Sequence, residues 1–366
     1  MQPPGWTLLA LACGCIGGIV LTDIVKIVGV LVFHRAVCGA CLPIYIVVIG
    51  GAVRAWRACS DGATMTLACE DNMTMSTSGV KHDMRYRVRW PIIGALVAIA
   101  ATAALDAAGL SAYVANSVLL PLFLLFWRLQ RLSRSAIGLT WGRWRDYVLA
   151  VCYPALALGV AGLIAWLAGA VNPTGVDWPA TVSHLVVLTL VTIVGAIITE
   201  EGFFRGWLWA SLQRAGVTPR GLFVWTSLAF AAWHVSKVLL PTDFRPPIAQ
   251  APIFILNVAV IGLIWALMRQ RSGSIVVTSV SHGIWNGLVY TLFGEGSTPG
   301  ALGIHNTGVF GPEVGLVGLA LNLAFAAVLW LTFTRSRDAR TVDMTRFKGR
   351  PQNRRAVETM ETVEPK

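Results

Sequence analysis

Long apolar stretches recur along the chain, separated by short polar connections that are rich in arginine. About 20 consecutive apolar residues cross the hydrocarbon core of a bilayer as α-helix, and several stretches approach or exceed that length. The pattern predicts helical spans at roughly 7 to 33, 37 to 53, 91 to 110, 112 to 127, 147 to 171, 182 to 208, 221 to 240, 251 to 268, 274 to 293 and 312 to 334. The runs are continuous and do not alternate apolar with polar, which argues against a spanning β-barrel. The expected fold is an all-α, polytopic transmembrane helical bundle of about 8–10 spans.

Composition agrees with the pattern. The chain is 55% hydrophobic and 13% charged, with a mean hydropathy of +0.66, and a soluble fold of this length would need far more polar surface. Its formal net charge of +11 could suggest nucleic acid. The basic residues are instead spread over loops that flank spans and over the tail, where topology and anionic lipid account for them, so membrane lipid is an expected partner and nucleic acid is not.

Arg54, Arg57, Arg85, Arg87 and Arg89 fall in one connection, Arg128, Arg131, Arg134, Arg143 and Arg145 in another, and Arg214, Arg220, Arg269 and Arg271 in two more on the same side. The intervening connections at 172 to 181, 241 to 250 and 294 to 311 hold a single arginine, Arg245. The positive-inside rule makes the basic side cytosolic and places both termini there, in a multi-pass protein of, by expectation, the bacterial cytoplasmic membrane.

The chain divides into an N-terminal hydrophobic region (1–83), N-terminal spans (84–181), a central helical core (182–293), a loop with the last span (294–334), and a flexible cytosolic tail (335–366) that is first basic, then mixed, with little apolar content. In the first region Asp23 and Lys26 interrupt the first apolar run, and Ser, Thr, Met and Cys crowd residues 58 to 79. By contrast "MRYRVRWPIIGALVAIA" from Met84 reads as an ordinary basic start to a membrane protein, which makes Met84 a candidate start of translation. Six of seven cysteines lie in the first region. Cys38 and Cys41 in "CGAC", with His34 nearby, have a redox or metal spacing, but no second such pair accompanies them, and small apolar residues near an interface are the simpler reading.

The central core breaks the apolar pattern with charge. "TEEGFFR" supplies Glu200, Glu201 and Arg205, "FAAWH" supplies Phe230 and His234, and "HGIWN" supplies His282 and Asn286. Each charge costs about 2.5 to 3.5 kcal/mol at bilayer depth, so it stays for a purpose. Four-residue spacing places each set on one helical face, so Glu201 can meet Arg205, Phe230 can lie against His234, and His282 can stand beside Asn286.

Depth is consistent with a shared site. Glu200 lies 14 positions before Arg214, His234 lies 14 after Arg220, and His282 and Asn286 lie 11 and 15 after Arg271. At about 1.5 Å per residue, all are roughly 16 to 23 Å along their helices from the basic markers. A single Glu–Arg pair or a lone histidine in a bundle is most often structural, and His184 and His305 are read that way.

Glu-Glu-x-x-x-Arg, Phe-x-x-x-His and His-x-x-x-Asn, in this order on separate hydrophobic helices, resemble the CAAX-protease and bacteriocin-processing family of membrane endopeptidases. That family includes the Ras-converting CAAX endoprotease and bacterial self-immunity proteins. The resemblance covers roughly residues 182 to 293. It implies an intramembrane endopeptidase acting on a membrane-associated peptide or protein without a cofactor. Glu200 and His234 would hold and deprotonate the attacking water, His282 and Asn286 would stabilise the oxyanion, and Glu201 with Arg205 would be scaffold, Phe230 supporting His234. By that reading Glu200 shares a proton with His234.

Two other readings are open to the same residues. Glu200, His234 and His282 could ligate zinc and activate water through the metal, although no HExxH is present and an asparagine suits an oxyanion hole better than a zinc shell. A transporter or non-enzymatic self-immunity protein could use intramembrane Glu, His and Arg as a relay, although neither broken helices nor a repeated half is visible in the sequence.

Overall fold

The computed structural model describes residues 77–348 apart from 241, 243 and 297. The expected spans 7–33 and 37–53, the pair Cys38 and Cys41 with His34, and the end of the tail from 349 lie outside the described residues.

The described chain is helical almost throughout. Helix α1 (Thr77–Ala107) is followed by two short helices, α2 (Ala112–Ser117) and α3 (Leu119–Leu129), then α4 (Trp144–Leu167) and α5 (Trp178–Ile198). A π-helical segment (Glu201–Leu208) and α6 (Trp209–Arg214) continue α5; α7 (Pro219–Leu239), α8 (Ala251–Ser272) and α9 (Ile275–Leu288) follow. A second π-helical segment (Val289–Phe293) leads into a two-strand hairpin, β1 (Gly294–Glu295) with β2 (Thr298–Pro299), then α10 (Thr307–Phe310) and α11 (Leu316–Lys348).

Among the described residues, six helices are long and apolar enough to cross a membrane: Arg89–Ala107, Trp144–Leu167, Trp178–Arg214, Pro219–Leu239, Ile248–Ser272 and Leu316–Phe333. Val114–Leu129 is a shorter apolar helix. The protein is a multi-pass membrane bundle. Its outside is apolar, with Leu156, Val187, Leu190 and Leu331 more than half exposed, while charged Glu201, Arg205, Asp106 and Lys237 are buried inside, as a lipid solvent requires.

Local sequence explains the helix starts. Asp177 caps α5 by accepting from the Ala180 N–H at 3.0 Å, Thr218 caps α7 through the Gly221 N–H, and Ser274 caps α9 through the Val276 and Val277 N–H groups. The last helix runs on to Lys348, past the expected span end at 334 and into the segment expected to be a flexible tail. No glycine or proline interrupts the sequence between Gly318 and Gly349, so nothing in the backbone chemistry stops it.

Helix α9 sits between α5 and α4, and α8 packs along α7 and α11, which brings the three motif-bearing helices into one cluster. The α5–α9 approach depends on glycine. A Cβ on Gly283 would lie 2.8 Å from the Thr189 carbonyl oxygen, and one on Gly287 would lie 3.3 Å from the Thr189 Cα. This Gly-x-x-x-Gly face lets the backbones close, and it flanks His282 and Asn286 on the same helix.

Candidate active site

The glutamate pair sits where a regular helix gives way. Thr199 leaves helical geometry (φ −116°, ψ −96°) while its hydroxyl donates to the Gly195 carbonyl at 2.7 Å, and the wider π-helical turn begins at Glu201. Such segments are rare and concentrate at functional sites. The Arg205 carbonyl inside this turn accepts from Arg269 Nε at 3.1 Å, and Arg269 Nη2 donates to the Ala136 carbonyl at 3.0 Å.

Arg205 and Glu201 are both fully buried, with Nη1 3.2 Å from Oε1. Arg205 Nη2 also donates to the Gly262 carbonyl at 3.2 Å, and its guanidinium lies 4.1 Å from the centre of the Phe230 ring. The same Glu201 oxygen faces His282 Nδ1 at 3.2 Å, while His282 Nε2 faces Glu200 Oε2 at 3.7 Å. The imidazole stacks on Trp265, with ring centres 4.1 Å apart. His282 is therefore clamped between the two glutamates, one at each nitrogen.

The two carboxylates differ in access. Glu200 keeps 13% of its side-chain surface whereas Glu201 keeps none. Charge counting shows what the cluster needs: two carboxylates and one guanidinium leave one negative charge, so in a low-dielectric interior one further proton neutralises the set. Glu201, paired with Arg205, accepts from His282 Nδ1 at 3.2 Å, and His282 Nε2 is left facing Glu200 Oε2 at 3.7 Å, beyond direct hydrogen-bond length.

His234 is tethered to its own helix backbone. Its Nδ1 donates to the Phe230 carbonyl at 2.9 Å, and the Phe230 ring meets it edge-on at 4.5 Å. Among the described residues no hydrogen bond joins His234 to Glu200. The imidazole nitrogen set against Glu200 is His282 Nε2, 3.7 Å from Oε2, while a backbone carbonyl tethers the His234 ring. With Nδ1 committed, Nε2 of neutral His234 is left as an acceptor.

Glu200, His234, His282 and Asn286 line one cavity of about 240 Å³. The Asn286 side-chain amide makes no hydrogen bond among the described residues and is free to donate into it. Glu201 and Arg205 do not line it. The described residues contain no group of three His, Cys, Asp or Glu side chains arranged to hold a metal ion. His184, read as a bundle residue, has Nδ1 3.2 Å from Thr291 Oγ1.

The cavity also receives residues that sequence reasoning passed over. Asn116 Nδ2 lies 3.5 Å from Glu200 Oε1. Lys237, three residues beyond His234, lines the cavity and pairs with Asp106 of α1 at 2.8 Å, with Ser236 donating to the other Asp106 oxygen at 2.6 Å. A lysine inside an apolar run is itself a signal of function or pairing. Glu295 and Glu313 form part of the wall from the hairpin and the turn before α11; neither belongs to a periodic pattern that would have marked it.

The match to known families coincides with this cluster. Residues 182–288 match the family described as type II CAAX prenyl endopeptidase, Rce1-like. No curated protein and no solved structure matches the chain. The matched segment begins within α5, ends at the last residue of α9 and contains all three motifs, so this multi-pass membrane protein carries an Rce1-like domain of the CAAX endopeptidase family.

Proposed function

We propose that the protein is an intramembrane endopeptidase that hydrolyses a peptide bond in a membrane-associated peptide or protein by a glutamate-activated water. The observation that carries the reading is the clamp on His282. With Glu201 neutralised by Arg205 and accepting from Nδ1–H, one further proton neutralises the cluster: it sits on His282 Nε2 with Glu200 as carboxylate, or on Glu200 with His282 neutral, the two atoms lying 3.7 Å apart, beyond direct hydrogen-bond length.

In the first state the pieces suit hydrolysis. Glu200 takes a proton from a water held between its carboxylate and the free Nε2 of His234, and the resulting hydroxide attacks the carbonyl carbon. Charge moves onto the carbonyl oxygen, where His282 Nε2–H and the Asn286 amide donate. The proton then passes from Glu200 to the leaving amine as the C–N bond breaks, which restores the starting state. Glu201 and Arg205 hold His282 and touch neither water nor substrate.

The basic loops orient this machinery with both termini in the cytosol, and a cavity bounded by membrane helices suits a membrane-attached peptide better than a soluble one. The direct test is to incubate purified protein in lipid nanodiscs with a library of membrane peptides and read new termini by mass spectrometry. Cleavage by wild type and none by Glu200→Gln supports the reading; equal cleavage by both removes it.

A further inference from the structure

Three helices spend fully buried polar side chains on holding a single turn. Tyr153 of α4 donates to Asn322 Oδ1 of α11 at 2.8 Å, and Asn322 Nδ2 donates to Asn257 Oδ1 of α8 at 2.9 Å. Asn257 Nδ2 then donates to the carbonyls of Pro312 at 2.8 Å and Glu313 at 3.0 Å. All three side chains are completely enclosed. Buried polar groups cost free energy unless fully satisfied, so a chain of them ending on one backbone segment fixes that segment for a reason beyond packing.

What the turn holds in place is the Glu313 carboxylate, in the wall of the cavity that contains Glu200, His282 and Asn286. Its Oε1 accepts from Trp285 Nε1 at 3.0 Å, and Trp285 is itself stacked on Tyr153 at 5.5 Å. Its Oε2 makes no hydrogen bond, and no lysine, arginine or histidine pairs with it, among the described residues. Lys237, the lysine of this cavity, is held by Asp106. A second carboxylate, Glu295, lies in the same wall.

We propose that Glu313 is a specificity carboxylate of this cavity, which takes a lysine or arginine side chain of the bound peptide; the inference rests on the endopeptidase reading above. An immobilised carboxyl with no ion-pair partner among the described residues gains a counter-charge from a ligand that supplies a cation, which favours its ionised form. Burial pushes the Glu313 carboxyl up to about 7, with Glu295 adding to it and Trp285 and His282 opposing it. A neutral side chain at this place would leave that carboxylate unanswered.

The test uses otherwise identical membrane peptides that carry lysine or norleucine at each position flanking the cleaved bond. At one position wild type should cleave the lysine peptide with kcat/KM at least about tenfold above its norleucine counterpart. Glu313→Gln, which can still accept from Trp285, should bring that ratio to near one. The same pairs are titrated onto Glu200→Gln and Glu200→Gln/Glu313→Gln proteins, where the lysine preference in Kd should be present in the first and lost in the second. Absence of any such position, a ratio that survives Glu313→Gln, or a fall in both peptides alike overturns the proposal. Preferential binding without cleavage by wild type would instead sink the endopeptidase reading and leave the subsite standing.

Discussion

Arg205 lies one turn beyond Glu201, 3.2 Å from its carboxylate, and neither side chain reaches any surface. Phe230 closes one side of the guanidinium and the Gly262 carbonyl takes another of its donors. The pair is thus a fixed charge of zero on which the rest of the cluster is hung.

Removing one partner leaves the other buried alone. Arg205→Ala should destabilise the fold by about 3–5 kcal/mol, because the Glu201 charge loses its counter-ion inside an apolar medium. The measurement is the melting temperature in detergent beside wild type and Glu200→Gln. An Arg205→Ala protein as stable as wild type would show that the pair contributes nothing.

Glu200→Gln separates chemistry from scaffold. Glutamine keeps the shape and the hydrogen bonds of Glu200 but cannot carry the proton. Peptide cleavage should fall to background, while the melting temperature stays near that of wild type because Glu201, Arg205 and His282 remain in place. Retained cleavage would move the base elsewhere in the cavity.

Much of this arrangement was legible before folding, for physical reasons. Spans are readable because a bilayer demands long apolar runs, and Glu200, Glu201, Arg205, His234 and His282 stand out because charge and imidazole are costly there. The i, i+4 spacing puts Arg205 one turn beyond Glu201, where the two side chains lie 3.2 Å apart. It could not reveal the π-helical turn, since "EEGFFRGW" has no composition that distinguishes it from an α-helix. Nor could it show that His282, on a helix 81 residues away from Glu201, would lie between the two glutamates, 3.7 Å from Glu200. That depends on how closely α5 and α9 approach, which Gly283 and Gly287 permit but do not announce. Asn116 and Glu313 reach the cavity from elements with no sequence pattern linking them to the motifs.

Asn286 has an unengaged amide on the cavity wall. If it donates only to the developing oxyanion, Asn286→Ala should lower kcat by about 100- to 1000-fold with KM nearly unchanged. Steady-state kinetics on one peptide read both constants. A collapse in KM with kcat preserved would place the amide on the ground-state peptide.

The hydrolytic scheme uses Glu200 and His234 directly on water, so activity should survive prolonged treatment with a strong chelator followed by desalting. Parallel assays with added zinc complete the experiment. Activity lost on chelation and recovered specifically with zinc would assign Glu200, His234 and His282 to a metal.

Glu313 predicts a pH dependence that needs no substrate. Its carboxyl is pushed from an ordinary value of 4.5 up to about 7 by burial, with Glu295 and Glu200 adding repulsion and Trp285 and His282 opposing it. The folded state therefore binds the Glu313 proton more tightly than the unfolded state does. That contribution to stability is fully present below about pH 4.5, declines as pH rises towards 7, and is gone above it. Glu313→Gln cannot ionise and carries no such dependence. Melting temperatures of wild type and Glu313→Gln taken in the same detergent from pH 5 to pH 8 should diverge, with the variant gaining on wild type as pH rises. Comparing the two proteins cancels the histidines and other groups that titrate over the same range. Parallel melting curves across that range would mean that Glu313 ionises in the fold as easily as in water, and that its carboxylate is solvated or already paired.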